Sequence, residues 1–336
     1  MQRSGILCGA AWCIDSNISV ATWPPEETVA IILSQDDQGG CPGHNMSTAL
    51  VKLGAPFPVS AIGLIGDDAQ GKQLQKICDA HGIDRTQLEM RQGLSTSYVM
   101  AMTAKDTGKR TFFSKAGVHA VQTPDDFDFT KSTARYAHLG LPGFHEKLDG
   151  PWQQDANGWV TLLKKARAAG LKSNLEMASF EIGLINRVVV PMLPWLDSLI
   201  INDFEAGAIS GKTTVVNGLT DIAKCREALE TIMQSHSNLD FAIIHFPLGA
   251  IAMQRGGGVF AQSSVNMPRK LIVGANGAGD CFAAGILIGQ HEGWSMQKSL
   301  KLAHASAAAS LRASSTTASV VNWKECLSLA DGWGWR

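Results

Sequence analysis

The sequence predicts an α/β fold built on a largely parallel sheet, with a smaller β insertion set apart from it. Two observations carry this prediction. Short apolar runs alternate with helix-period segments, and several of those segments end in a glycine suited to a left-handed cap. Two further stretches, Ile18 to Leu33 and Ser97 to Phe113, break the rhythm with β-branched and aromatic residues.

In chain order, Ile6 to Ala11 reads as the first strand, followed by a helix over Met46 to Leu53 that ends at Gly54. Val59 to Ile65 is a strand, and Ala69 to His81 is a helix with Gly82 as its cap. A helix over Gly158 to Ala169 closes at Gly170 and leads into the strand Leu171 to Leu175. Strands at Ser198 to Ile201 and Phe241 to Phe246 flank a helix over Asp221 to His236, and helices over Ala278 to His291 and Met296 to Leu311 follow. Lys105-Asp106-Thr107-Gly108-Lys109 is a hairpin signal inside the second irregular stretch. That stretch and Ile18 to Leu33 either form a projecting lid, at roughly residues 16–38 and 95–115, or extend the main sheet. No linker or repeat interrupts the chain, so residues 1–336 read as one domain.

Composition narrows the function. Apolar residues make up 45% and charged residues 18%, the balance of a chain with a large core. A net charge of −1 supplies no field for nucleic acid or an anionic membrane. The seven cysteines are an odd number with no Cys-x-x-Cys pair, which argues against a disulfide framework or a zinc site. The first residues lack a signal peptide's apolar core, and no apolar run approaches the ~20 residues of a membrane helix. The expected setting is the cytoplasm.

The strongest chemical signal is Gly274-Ala275-Asn276-Gly277-Ala278-Gly279-Asp280, running into the apolar helix that starts Cys281-Phe282. Amides at a helix start have no partner inside the helix, and the helix dipole adds positive potential there. Such a turn suits a phosphate or a developing phosphoryl charge. A carboxylate beside a phosphate makes sense if Asp280 takes a proton from an attacking hydroxyl, although a plain N-cap role fits the local sequence equally. No Gly-Lys-Ser/Thr follows, so this is not a Walker A loop.

A second cluster, Gly39-Gly40-Cys41-Pro42-Gly43-His44-Asn45, either lets a polyol approach the backbone, with Asn45 giving a donor and an acceptor, or is a loop capped by Asn45. Asp15, expected just past the first strand, sits where α/β sheets bind ligands, and could accept two sugar hydroxyls or simply shape a turn.

Together these segments resemble the ribokinase-like (PfkB-type) family of carbohydrate kinases. One signature is Gly39-Gly40 through Asn45, Leu53-Gly54-Ala55 and Ile65-Gly66-Asp67-Asp68 with Gly71; the other is Gly277-Ala278-Gly279-Asp280-Cys281-Phe282. Asn202-Asp203-Phe204-Glu205 matches the family's Asn-x-x-Glu motif. The resemblance implies a three-layer α/β/α fold with a small β lid, and an ATP-dependent kinase acting on a hydroxymethyl group of a sugar or sugar-like molecule. By the same resemblance, Asp280 is the base and Gly277, Ala278 and Gly279 form the anion hole. Asp15, Gly40 and Asn45 contact the acceptor. Asn202, Glu205 and Gly249 serve the nucleotide, with Glu205 holding Mg²⁺ through water, while Asp203 is a spare structural acid. Ala303 to Leu311 resembles the helix beside the adenine, where His304 reads as a helix-surface residue with no assigned role. Dimerisation through the lid is also implied.

The chain departs from the common pattern at Gly274, Ala275, Cys41 and Pro42 and in the segment His245-Phe246-Pro247. Gly274 stands where many relatives carry an Asp of a monovalent-cation site, which puts K⁺ activation in doubt. Ala275 replaces a Thr, and Cys41 and Pro42 alter the first glycine cluster, so no particular sugar carries over. A nucleoside is the alternative acceptor, with Arg110-Thr111-Phe112-Phe113 offering stacking surface, and a non-catalytic sensor on the same fold is the alternative outside enzymes.

Overall fold

The computed structural model describes residues 3–336. In chain order the strands are β1 (Ile6–Ala10), β2 (Cys13–Val20), β3 (Ile32–Gly40), β4 (Val59–Gly66), β5 (Asp84–Arg91), β6 (Ser97–Ala104) and β7 (Arg110–Lys115). They continue as β8 (Tyr136–Gly140), β9 (Lys172–Leu175), β10 (Ser198–Asn202), β11 (Val215–Val216), β12 (Leu219–Thr220), β13 (Phe241–Phe246), β14 (Gly249–Gln254) and β15 (Gly258–Ser263). The α-helices are α1 (Cys41–Leu53), α2 (Ala69–Ala80), α3 (Glu146–Asp149), α4 (Gly158–Ala168) and α5 (Ile182–Val188). After them come α6 (Asp203–Ser210), α7 (Ile222–Ser235), α8 (Ala278–His291), α9 (Met296–Ser310) and α10 (Trp323–Trp333).

The main sheet has nine strands in the order β15-β14-β13-β10-β9-β8-β1-β4-β5. The run from β13 to β5 is parallel throughout, and β14 and β15 add an antiparallel edge. Helices cover both faces. One core cluster packs α1, α2, α8, α9 and α10 against one side, and a second packs α4, α6 and α7 against the other. The predicted three-layer α/β/α architecture is therefore what the sequence adopts. Buried β1, with all five residues inaccessible, shows why it reads as an uninterrupted apolar run rather than an alternating one.

A separate four-stranded sheet has the order β3-β2-β6-β7. Only Ala11 and Trp12 separate β1 from β2, so the chain passes directly from the main sheet into the small one. The hairpin between β6 and β7 turns at Gly108, which has φ 67°, as its turn residues imply. Within Ile18 to Leu33, β2 ends at Val20 and β3 begins at Ile32, with no strand between. Pro24 and Pro25 lie in that gap, and proline cannot donate to a ladder.

The expected caps at Gly54, Gly82 and Gly170 all adopt positive φ, at 78°, 64° and 81°. The start of α1 differs from expectation. The helix begins at Cys41 rather than Met46, so the glycine cluster is half strand end and half first turn, and Asn45 is not its cap. Cys41 itself has φ 65°, a left-handed conformation that costs a non-glycine residue about 1 kcal/mol or more.

Candidate active site

Two cavities meet at the start of α8. One, of about 380 Å³, is lined by Asp15, Asn45, Glu176, Gly277 and Asp280 beneath Phe112 of the small sheet. The other, of about 630 Å³, is lined by Asn202, Asp203, His245, Ala278, Gly279 and the α9 residues His304, Ala307 and Ala308. The outer two residues of this four-residue turn, Gly277 and Asp280, therefore face the smaller chamber, and the inner two, Ala278 and Gly279, face the larger.

That turn is fixed by backbone demands. Gly277 is the N-cap of α8 with φ 73°, and a Cβ there would lie 2.5 Å from the Cβ of Thr316. Asp280 is the third residue of the helix and makes no capping bond, which removes the N-cap reading of this residue. By position, the amides of Ala278, Gly279 and Asp280 have no partner within the helix.

Asp280 is buried, and its two oxygens are unlike. Oδ2 accepts from Nδ2 of Asn45 at 3.0 Å, whereas Oδ1 has no partner among the described residues. Burial raises its pKa to about 7 against the lowering effect of Asn45, so the carboxyl titrates near neutrality. Asn45 is in turn fixed by the Thr316 hydroxyl at 2.9 Å and by His44 Nδ1 at 3.0 Å, both against its Oδ1. Its acceptor is thus used within the protein, and only Nδ2 has a free N–H to offer a ligand.

Asp15 lies on β2, not in a loop after β1, and burial raises its pKa. The glycines of the first cluster accommodate the protein's own side chains. A Cβ on Gly39 would meet the His44 ring at 2.2 Å, one on Gly40 the Asp15 carboxyl at 2.3 Å, and one on Gly43 the Trp12 indole at 2.4 Å. Gly40 thus bears on the cavity through Asp15, and is not itself part of the lining.

Asn202 and Glu205 form a reciprocal capping box at the start of α6. Glu205 N–H donates to Asn202 Oδ1 at 2.9 Å, and Asn202 N–H donates to Glu205 Oε2 at 3.0 Å. Ser179 donates to Glu205 Oε1 at 2.9 Å. Burial lifts the Glu205 pKa to about 7. Asn202 and Asp203 line the larger cavity, while Glu205 lies behind them. Gly249 does not line it either: it opens β14, where a Cβ would meet the Gln262 carbonyl at 2.6 Å. His304 is buried rather than on a helix surface, edge-on to Phe282 at 5.0 Å, with His245 tilted on the same ring at 5.0 Å.

The sequence reading missed Glu176. It follows β9 at the carboxyl end of a parallel strand, the position that could have flagged it. Its pKa is raised well above the ordinary range, by burial first and then by Asp280 and Glu205. No grouping of three or more His, Cys, Asp or Glu side chains among the described residues is arranged to hold a metal. Asn202 and Asp203 face the larger cavity, and a hydrated divalent ion needs only one or two protein oxygens.

The model of the pfkB family of carbohydrate kinases matches residues 34–323. The chain belongs to that family. Among solved structures, Arabidopsis thaliana ribokinase complexed with ribose and ATP is 19% identical with a TM-score of 0.77, over 98% of this chain and 99% of that one. A nucleoside kinase of Methanocaldococcus jannaschii is 16% identical with a TM-score of 0.77, over 99% of both chains. A Burkholderia thailandensis nucleoside kinase in complex with inosine is 18% identical with a TM-score of 0.71, over 98% of both. At these identities the likeness is one of fold. None of the described helices of this pfkB-family chain is long and apolar enough to cross a membrane.

Proposed function

We propose that this chain transfers the γ-phosphoryl group of ATP to a hydroxymethyl group of a sugar or sugar-like small molecule, with Asp280 as general base. The observation that carries the reading is the unpartnered Oδ1 of Asp280, buried where the two cavities meet. The acceptor occupies the smaller cavity and hydrogen-bonds to Asp15 and the free N–H of Asn45. Its hydroxyl gives its proton to Asp280 Oδ1 as the oxygen attacks phosphorus, and ADP leaves. Charge developing on the transferred group meets the amides of Gly277, Ala278 and Gly279.

The nucleotide occupies the larger cavity, its base against Ala307, Ala308 and Leu311 and its phosphates toward Asn202. Mg²⁺ brought in with ATP would neutralise phosphate charge, and Asn202 and Glu205 would be the residues that hold its waters. Gly249 acts indirectly, by letting β15 close on β14. A K⁺ site is not part of the proposal, because Gly274 offers no side-chain oxygen. Exposed Trp23, Ile31, Ile32 and Leu33 on or beside the small sheet support a homodimer formed through it, which sedimentation would measure. A cytoplasmic setting is compatible with seven unpaired cysteines.

The test is a coupled ADP assay over ribose, fructose, ketodeoxy sugar acids, adenosine and pseudouridine. Turnover with one or more sugars supports the proposal. A nucleoside acceptor is the second reading, favoured by Phe112 and Phe144 in the cavity lining, and preference for adenosine or pseudouridine would select it. No turnover with any compound, with binding still detected, would favour a sensor.

A further inference from the structure

The acceptor cavity contains a histidine that the proposed reaction does not use. His119 lies in the 3₁₀ turn Gly117–Ala120, is 2% exposed and lines the cavity. Its Nε2 accepts the backbone N–H of Trp12 at 3.2 Å. A ring nitrogen that accepts from an amide carries no proton, and burial lowers the His119 pKa to about 4, so the ring is neutral near pH 7. The single ring proton is therefore on Nδ1. Among the described residues that N–H has no hydrogen-bond partner.

The ring is also held in place. It stacks on His145 with centroids 4.4 Å apart, and His145 meets Trp159 edge-on at 5.1 Å. His145 Nδ1 donates to the Leu141 carbonyl at 3.2 Å, and Asp149 accepts the backbone amides of Gly143 and His145, both at 2.9 Å. Gly117, with φ 53°, sets the entry to the turn, since a Cβ there would strike the Ser95 carbonyl at 2.5 Å.

The rest of the lining explains what such a donor is for. Asp15, Glu176 and Asp280 face the cavity, and in the ionised form that a general base needs a carboxyl only accepts. Asn45 has committed its oxygen to Thr316 and His44. A hydroxyl that donates to a carboxylate still has lone pairs to satisfy. We propose that His119 Nδ1–H supplies that bond, donating to an oxygen of the acceptor molecule and thereby setting acceptor specificity, a role that rests on the smaller cavity being the acceptor site. A buried donor left unpaired by the wrong ligand disfavours it by roughly tenfold to a hundredfold.

The test has two arms. In the first, nitrogen-15 histidine spectra of the wild-type protein are recorded free and with each compound of the acceptor panel, without nucleotide. A neutral, Nδ1-protonated His119 whose Nδ1 resonance moves on binding is expected. An Nε2-protonated ring, or no movement with any compound, overturns the inference. In the second, His119→Phe and His119→Asn are assayed with the best acceptor and its monodeoxy analogues. The acceptor KM of His119→Phe is expected to rise about 10–100-fold, more than kcat falls, with partial recovery in His119→Asn. One deoxy analogue should lose the same factor in the wild type and nothing more in His119→Phe. Additive losses at every deoxy position overturn the proposal. If the variants fail to fold, the spectra decide alone. A His119 shift on acceptor binding with no ADP formed would sink the kinase reading and leave this one standing.

Discussion

The two cavities flanking the start of α8 are built on different plans. The smaller one draws its walls from across the chain, with β2, α1, the small sheet, the segments after β8 and β9, and α8 all contributing, and it gathers three carboxylates. The larger one is lined only by residues from Ser179 onward, mostly apolar or small, with Asn202 and Asp203 at one side. An apolar chamber selects by shape, whereas a polar one selects by fixed donors and acceptors. The contrast is that fixed polar groups from across the chain line the smaller cavity, mostly apolar or small residues line the larger one, and both share the turn at Gly277 to Asp280.

The sharpest way to break that division is Asp280→Asn. Loss of a general base typically costs about 10²–10⁴-fold in kcat, with nucleotide affinity retained because Asp280 faces the smaller cavity. Near-wild-type turnover with the true acceptor would remove Asp280 from the mechanism. Next in size is Gly277→Ala, which forces a left-handed alanine 2.5 Å from Thr316 Cβ. Thr316 holds Asn45, and Asn45 holds Asp280, so displacement travels to the base. A fall of roughly 10–100-fold in kcat is expected, since small misplacements of reacting groups cost that much. Unchanged kcat would mean that the chain from Thr316 to Asp280 does not position the carboxyl. Smaller again is Ala308→Phe, which fills space in the larger cavity alone. The KM for ATP should rise about tenfold with the acceptor KM unchanged. Equal changes in both constants would show that the chambers are not independent.

The same division governs what the sequence made legible. The turn at Gly277 to Asp280 and the box at Asn202 and Glu205 are local, so their residues appear consecutively and leave a readable trace. The first glycine cluster was visible too, but its meaning was not. Cys41 at positive φ and Pro42 in the first turn disguise the start of α1, and the partners that the glycines admit, Asp15, Trp12 and His44, are identified only by packing. Glu176 and His119 reach the smaller cavity from segments about 60 residues apart, and each alone looks like an ordinary loop residue. His304 looked like a surface residue because nothing in its helix announces that Phe282 packs on it. The antiparallel edge of β14 and β15 carried a signal that was not used, the turn residues Gly256-Gly257-Gly258.

The smallest expected effect separates the shared turn from the nucleotide side by pH. The folded-state pKa of Asp280, about 7, lies above the ordinary value of 3.8, so between those values the folded protein binds more protons than the unfolded chain. The stability this contributes is complete below about pH 4 and is lost as pH rises through about 7. Catalysis needs the opposite state, because only the ionised carboxyl accepts the hydroxyl proton, so kcat/KM should fall as pH drops through the same region. Asp280→Asn removes the titration. Its Tm relative to wild type should therefore climb as pH goes from 5 to 8, whereas Ala308→Phe, remote from any titrating group of the smaller cavity, should shift Tm by the same amount throughout. A wild-type minus Asp280→Asn difference that stays constant over that range would mean the carboxyl is already ionised at pH 5. The buried, half-partnered state of Asp280 would then not be what tunes it as a base.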